Sequence, residues 1–172
     1  NFRQQPLGES AADILGIPYS SVRPRIRSSG AARPIADDYV CIAIHSTAQA
    51  KYWNNPTGWA DVVAYLRQRG YQVVLLSAEG LHHMGNQAPE DVTLLPPGDL
   101  AAVSDCLRNA RMFIGIGSGL SWLAWALGCK TCVISGFSYP YTEAADMIRI
   151  GARPDSCSGC FNRYPLAAGD WE

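Results

Sequence analysis

A chain of 172 residues is long enough for one domain with a sizeable core and leaves room for little more than a tail. Apolar residues make up 48% and charged residues 17%, which suits a sheet covered on both faces and excludes a disordered chain. The net charge of −1 argues against binding nucleic acid or a membrane surface through bulk electrostatics, and no apolar run reaches the length of a membrane span.

Residues 1–37 are rich in Pro, Arg, Ser and Gly, with a short helical candidate over 10–15. They read as an interdomain connector that Arg23, Arg25, Arg27 and Arg33 keep solvated. A β/α alternation follows. Residues 39–45 are a near-continuous apolar strand. Asn55 and Pro56 then predict the cap and first turn of a helix that runs to about Arg69 and stops at Gly70. Residues 71–77 predict a second strand, 92–95 a short third, and 99–109 a helix that Asp99 caps. The run 112–116 predicts a buried fourth strand ending in Gly117-Ser-Gly119, with a helix over 119–127 closed by Gly128. Residues 130–135 predict a fifth strand, 141–147 a short helix, and 147–150 a last edge strand. Strands separated by single helices imply a Rossmann-like α/β fold, a mainly parallel sheet flanked by helices, over residues 38–150. Residues 151–172 form a separate cysteine-bearing segment. The chain opens on Asn1 rather than Met, and its tail shows no closing element, so we expect a piece of a longer protein.

Ligands of such sheets sit at the carboxyl ends of the strands, and here those ends are small or polar. They are His45-Ser-Thr47, Ser77-Ala-Glu79, Gly117-Ser-Gly119 and Ser135-Gly-Phe137. The turn at 117–119 leaves unpaired N–H groups at a helix N-terminus with no side chain to block a phosphate, so Gly117, Ser118, Gly119, Leu120 and Ser121 are candidate anion-binding residues. Its alternative is a tight β–α turn that binds nothing. Ser46 and Thr47 bring hydroxyls to the same edge. Lys51, which shares the chain with one other lysine, Lys130, brings a point charge suited to a diphosphate. The alternative for Lys51 is a solvated surface lysine. Glu79 is placed to accept hydrogen bonds from a ribose, or is simply an exposed loop acid. His82 and His83, in a loop between glycines, read as surface residues.

Cys41, Cys106, Cys129 and Cys132 fall on apolar stretches and read as core. Cys157-Ser-Gly-Cys160 has the knuckle spacing of thiolate metal sites, yet two ligands cannot close a tetrahedral shell. A metal half-site, a disulfide and two free thiols all remain open.

Four blocks in order, His45-Ser-Thr-Ala-Gln-Ala-Lys-Tyr-Trp-Asn-Asn55, Phe113-Ile-Gly-Ile-Gly-Ser-Gly-Leu-Ser-Trp-Leu-Ala-Trp-Ala126, Ile134-Ser-Gly-Phe-Ser138 and Cys157-Ser-Gly-Cys-Phe-Asn162, resemble the bacterial autotransporter heptosyltransferases, relatives of the lipopolysaccharide heptosyltransferases. The resemblance runs from about Ala12 to Trp171. It implies a GT-B glycosyltransferase that moves heptose from ADP-heptose onto serine hydroxyls of an autotransporter adhesin. This chain would be its C-terminal, nucleotide-sugar-binding domain, and the setting the bacterial cytoplasm. By position, Lys51 matches the lysine expected at the donor diphosphate, Ser46 and Thr47 its neighbours, Gly117 to Ser121 the phosphate turn, and Glu79 an acidic ribose contact. The lipopolysaccharide relatives carry Asp before the turn and His after it. Here those places hold Gly117 and Trp122, as in the autotransporter branch. That branch implies a four-cysteine iron knuckle, with Cys157 and Cys160 as its first two ligands, and large homo-oligomers.

The family's general base and acceptor cleft belong to an N-terminal domain outside these residues, so the catalytic base is unassigned and residues 1–172 alone are expected to be inactive. The competing reading is a non-catalytic nucleotide-binding α/β domain with a structural metal. A dinucleotide oxidoreductase fits less well. Its Gly-x-Gly-x-x-Gly turn is missing after the first strand, so no NAD is expected.

Overall fold

In the computed structural model, residues 5–27, 33–95, 99–153 and 155–156 are described. Helix α1 spans Leu7–Leu15 and is followed by strand β1, Tyr39–Ala43, helix α2, Gly58–Gln68, and strand β2, Gln72–Leu76. A small hairpin, β3 (His82–His83) and β4 (Asn86–Gln87), precedes β5, Thr93–Leu95. Then come α3, Leu100–Asn109, β6, Met112–Ile116, α4, Gly119–Ala126, β7, Thr131–Ser135, and β8, Ile148–Gly151. No helix among the described residues is long and apolar enough to cross a membrane.

All five residues of β1 are buried, as a strand with neighbours on both edges and helices on both faces requires. It pairs parallel with β2 (Val40 opposite Val73) and with β6 (Cys41 opposite Phe113). The full sheet is six-stranded in the order β5-β2-β1-β6-β7-β8, every pairing parallel. Counted along the chain, the main-sheet strands therefore lie 3-2-1-4-5-6, the doubly wound nucleotide-binding order. Its reversal point falls between β1 and β6.

Side chains alternate across β1 and build two cores. Tyr39, Cys41 and Ala43 pack with Leu107, Phe113 and Ala124 under α3 and α4. Val40, Ile42 and Ile44 pack with Trp59, Val63 and Leu66 of α2 on the other face. The four described cysteines are buried free thiols, Cys41, Cys106 and Cys129 in the first of these layers, with the Cys41 and Cys106 sulfurs 3.6 Å apart. Burial pushes the Cys129 thiol up to about 11, so it stays protonated and inert at neutral pH.

The helix ends follow local chemistry. Asp99 Oδ1 accepts the Ala102 N–H at 2.8 Å and caps α3. Asn55 Oδ1 accepts the N–H groups of Thr57 and Gly58, each at 3.1 Å, so it caps a preceding turn and α2 proper begins at Gly58, later than expected from Pro56. Gly70, at φ 82°, takes the left-handed conformation that ends the α2 region.

Two expectations need correction. The helix expected over 141–147 is a single 3-10 turn, Pro140–Thr142, since seven residues without a cap do not sustain an α-helix. Residues 82–87, read as a loop, form the β3–β4 hairpin around Met84 (φ 46°) and Gly85 (φ 78°), the pair of positive φ values of a tight two-residue turn. Most side chains of the 5–27 segment are exposed, and a few contacts tie it to the sheet domain. Arg23 pairs with Asp146 and lies 5.4 Å from the Trp125 ring centre, while Arg108 Nη2 donates to the Ile26 carbonyl at 2.8 Å. Cys157 and Cys160 lie outside the described residues.

Candidate nucleotide-sugar site

At the carboxyl ends of β1 and β6 the chain cannot continue as sheet, because each strand turns off into a loop whose backbone groups need other partners. After β1, Ile44, His45 and Ser46 stay buried and a 3-10 turn, Gln49–Lys51, follows. Tyr52 fixes this loop by donating its hydroxyl to the Ser46 carbonyl at 3.0 Å. Gln49 Nε2 ties it to the hairpin through the Met84 carbonyl at 3.1 Å. Lys51 is thereby set at the sheet's edge, its Nζ 5.6 Å from the Phe137 ring centre.

After β6, Gly117 leads into α4. Ser121 Oγ donates to the Ser118 carbonyl at 2.7 Å and accepts the Ser118 N–H at 3.2 Å, which closes the first turn on itself. Ser118 Oγ is buried without a hydrogen-bond partner. A β-carbon added at Gly117 or Gly119 would meet nothing within 4 Å. Packing therefore does not require glycine at either position, and the space in front of this helix N-terminus is open to an incoming group.

Two clefts meet here. The first, of about 660 Å³, is lined by Ser46, Thr47, Lys51, Glu79, Ser118, Gly119 and Leu120, over a floor of Leu76, Leu95, Leu100, Val103 and Leu123. The second, of about 520 Å³, runs from Lys51 and the 117–119 turn past Ser121, Trp122 and Trp125 to Phe137, Ser138 and Glu143. Lys51, Ser118 and Gly119 line both and form the bar between them. All nine residues singled out from the sequence as donor-binding candidates line one cleft or the other.

The sequence did not single out His45, Ser77, the apolar floor, or the Trp122–Glu143 wall. His45 is 5% exposed, and its Nδ1 lies 3.0 Å from Ser77 Oγ, which in turn is 3.3 Å from Glu79 Oε2. Burial lowers the pKa of His45, against the pull of Glu79, so its ring is held neutral. His83 does not stand apart as a surface residue, since its ring lies 5.8 Å from that of His45. A histidine directly after an apolar strand, two hydroxyls later, was the available signal for His45.

Among the described residues, no cluster of three or more His, Cys, Asp or Glu could hold a metal ion.

An apolar slot and a polar bar at the reversal point of a 3-2-1-4-5-6 sheet define an α/β domain of the doubly wound class with a cleft at its switch point. Residues 10–148 match the model of glycosyltransferase family 9, the heptosyltransferases, and the chain belongs to that family. It is 43% identical to the autotransporter heptosyltransferase BAHTCr of Citrobacter rodentium, over 96% of this chain and 41% of that protein. The crystal structure of TibC from enterotoxigenic E. coli, an iron-containing dodecameric glycosyltransferase, superposes with a TM-score of 0.82 at 40% identity, over 94% of this chain and 44% of that one. TibC has also been solved in complex with ADP-D-beta-D-heptose. A third relative, the inactive autotransporter heptosyltransferase BimC of Burkholderia thailandensis, is 33% identical over 89% of this chain and 37% of that protein. The chain thus spans about two fifths of the length of the curated relatives it matches. The fold is that of GT-B heptosyltransferases, as the sequence led us to expect.

Proposed function

We propose that this chain is the donor-binding half of a protein O-heptosyltransferase, which takes heptose from ADP-heptose and passes it to serine hydroxyls of an autotransporter adhesin. The observation that carries the reading is the bar of Lys51, Ser118 and Gly119 between an apolar cleft and a polar, aromatic one. That arrangement matches a nucleoside diphosphate sugar in the order of its parts. Adenine lies on the leucine and valine floor, with Glu79 at the rim to accept from the ribose hydroxyls. The diphosphate lies across the α4 N-terminus, where backbone N–H groups, the Ser118 hydroxyl and the Lys51 ammonium receive it. The sugar then projects into the second cleft.

As the glycosidic oxygen leaves with the diphosphate, negative charge grows on the phosphate oxygens. Lys51 and the oriented N–H groups of residues 118–121 stabilise that charge without having to reorganise. Neither cleft is assigned the base that takes the acceptor proton, and by family resemblance that base and the acceptor belong to an N-terminal domain. Cys157 and Cys160 are proposed as two thiolate ligands of an iron knuckle in a homo-oligomeric, cytoplasmic protein.

The second reading, a donor-binding domain without transfer activity, is favoured by the likeness to BimC. Calorimetry with ADP-heptose and a transfer assay on the intact protein decide the matter. Binding with transfer supports the enzyme, binding without transfer supports the second reading, and no binding rejects both.

A further inference from the structure

We infer that Glu143 selects the sugar of the donor by accepting hydrogen bonds from adjacent ring hydroxyls in the second cleft. The assignment rests on the donor reading above. Glu143 follows the single turn Pro140–Thr142 after β7, and its side chain, though it lines the cleft, is only 9% exposed. A carboxylate taken that far out of water is costly unless its charge and its lone pairs are both satisfied.

The charge is satisfied, because Arg149 Nε of β8 stands 3.0 Å from Glu143 Oε2. The lone pairs are satisfied on one oxygen only. Oε1 accepts the Ser135 hydroxyl, with the Ser138 hydroxyl at 3.5 Å. Oε2 makes no hydrogen bond, and neither does Arg149 Nε, so the two face each other as charges but out of hydrogen-bonding line. Arg149 does not need the carboxylate to hold the loop, since its Nη2 already donates to the carbonyls of Ser138 at 3.0 Å and Ser135 at 3.3 Å. What remains is an acceptor oxygen with spare capacity, buried against Arg149, in a residue that lines a cleft beginning at the diphosphate bar.

The ligand chemistry follows. An acceptor without donors of its own suits hydroxyl groups, and a carboxylate can take two neighbouring ones. The cleft's other walls include Trp122, Trp125 and Phe137, aromatic side chains of the kind that pack against the C–H face of a sugar ring. Because Arg149 neutralises Glu143, the acceptor sits close to the diphosphate seat without repelling it.

The test compares two ligands in the intact protein. ADP carries everything up to the bar and lacks the sugar, whereas ADP-heptose carries both. In Glu143→Gln, the affinity for ADP-heptose should fall by roughly tenfold or more, the usual loss for a hydrogen bond to a charged group. The affinity for ADP should stay within about twofold, a shift too small to signal a lost contact. Should that variant fail to fold, Ser135→Ala keeps the charge and removes only the hydroxyl that orients it. It should give the same selective loss at smaller size. Equal losses for the two ligands would reduce Glu143 to a structural role and overturn the assignment. So would a fall in transfer rate with donor affinity unchanged, which would place the residue at the acceptor. A wild-type protein that binds neither ligand would reject the donor reading itself.

Discussion

In the proposed donor site Lys51 and Gly119 would act on the same phosphates by different physics, and substitution separates them. Lys51→Ala removes a charge-assisted contact worth about 1.5–3 kcal/mol, so donor affinity and transfer in the intact protein should fall by roughly ten- to a hundredfold. An unchanged affinity for ADP-heptose would reject the assignment. Gly119→Val instead fills space. The new side chain meets no protein atom near its β-carbon, so the melting temperature should hold while nucleotide binding is lost to obstruction. If ADP still binds, the turn is only a connection. His45 adds a pH dependence. Burial lowers its pKa from the ordinary 6.5, so the unfolded chain takes up the proton first as pH falls. Its contribution to stability is therefore constant above about pH 6.5 and declines below it, toward the lowered folded value. Urea midpoints at pH 7.5 and 5.5 should differ more for the wild type than for His45→Asn; equal differences would refute the linkage.

At the scale of elements, legibility tracks how local the cause is. The β6–turn–α4 unit was readable almost to the residue, because an apolar run, three small residues and a helical stretch follow one another without a break. The α3 cap was readable for the same reason, and Asp99→Ala should cost about 1 kcal/mol of stability, measured by denaturant unfolding, with donor affinity unchanged. A cost below a few tenths would mean that water replaces the cap. The β3–β4 hairpin was not readable, since strands of two residues carry no periodicity and Met84-Gly85 is a weak turn signature. Residues 141–147 misled through composition. Glu143, Ala144, Ala145 and Met147 favour helix, but β8 begins at Ile148 and the chain must extend to reach it.

At the scale of the whole molecule, the polar bar could be read and the clefts it divides could not. Lys51, Ser118 and Gly119 each announce themselves by residue type in the segments that follow a strand end. The apolar floor proposed for adenine draws on Leu76, Leu95, Val103 and Leu123, whose local sequence marks them only as core, and the second cleft joins Pro6 and Tyr19 to Trp125 and Glu143 across most of the chain. Such surfaces exist only once the sheet has set strand order. We propose further that the donor site binds its ligand independently of the metal knuckle. The bar is held by β1 and β6 at the centre of the sheet, whereas Cys157 and Cys160 follow its edge strand β8. A ligand that binds only the folded state stabilises it by an amount set by its concentration over Kd, about 2.7 kcal/mol at a hundredfold excess. In the intact protein, ADP should therefore raise the melting temperature of a Cys157→Ser/Cys160→Ser variant as much as that of the wild type, even as elemental analysis shows its iron lost. Lys51→Ala should keep the iron and lose most of the ADP shift. If the cysteine variant loses the ADP shift together with the metal, the knuckle and the donor site are one cooperative unit and the proposed separation fails.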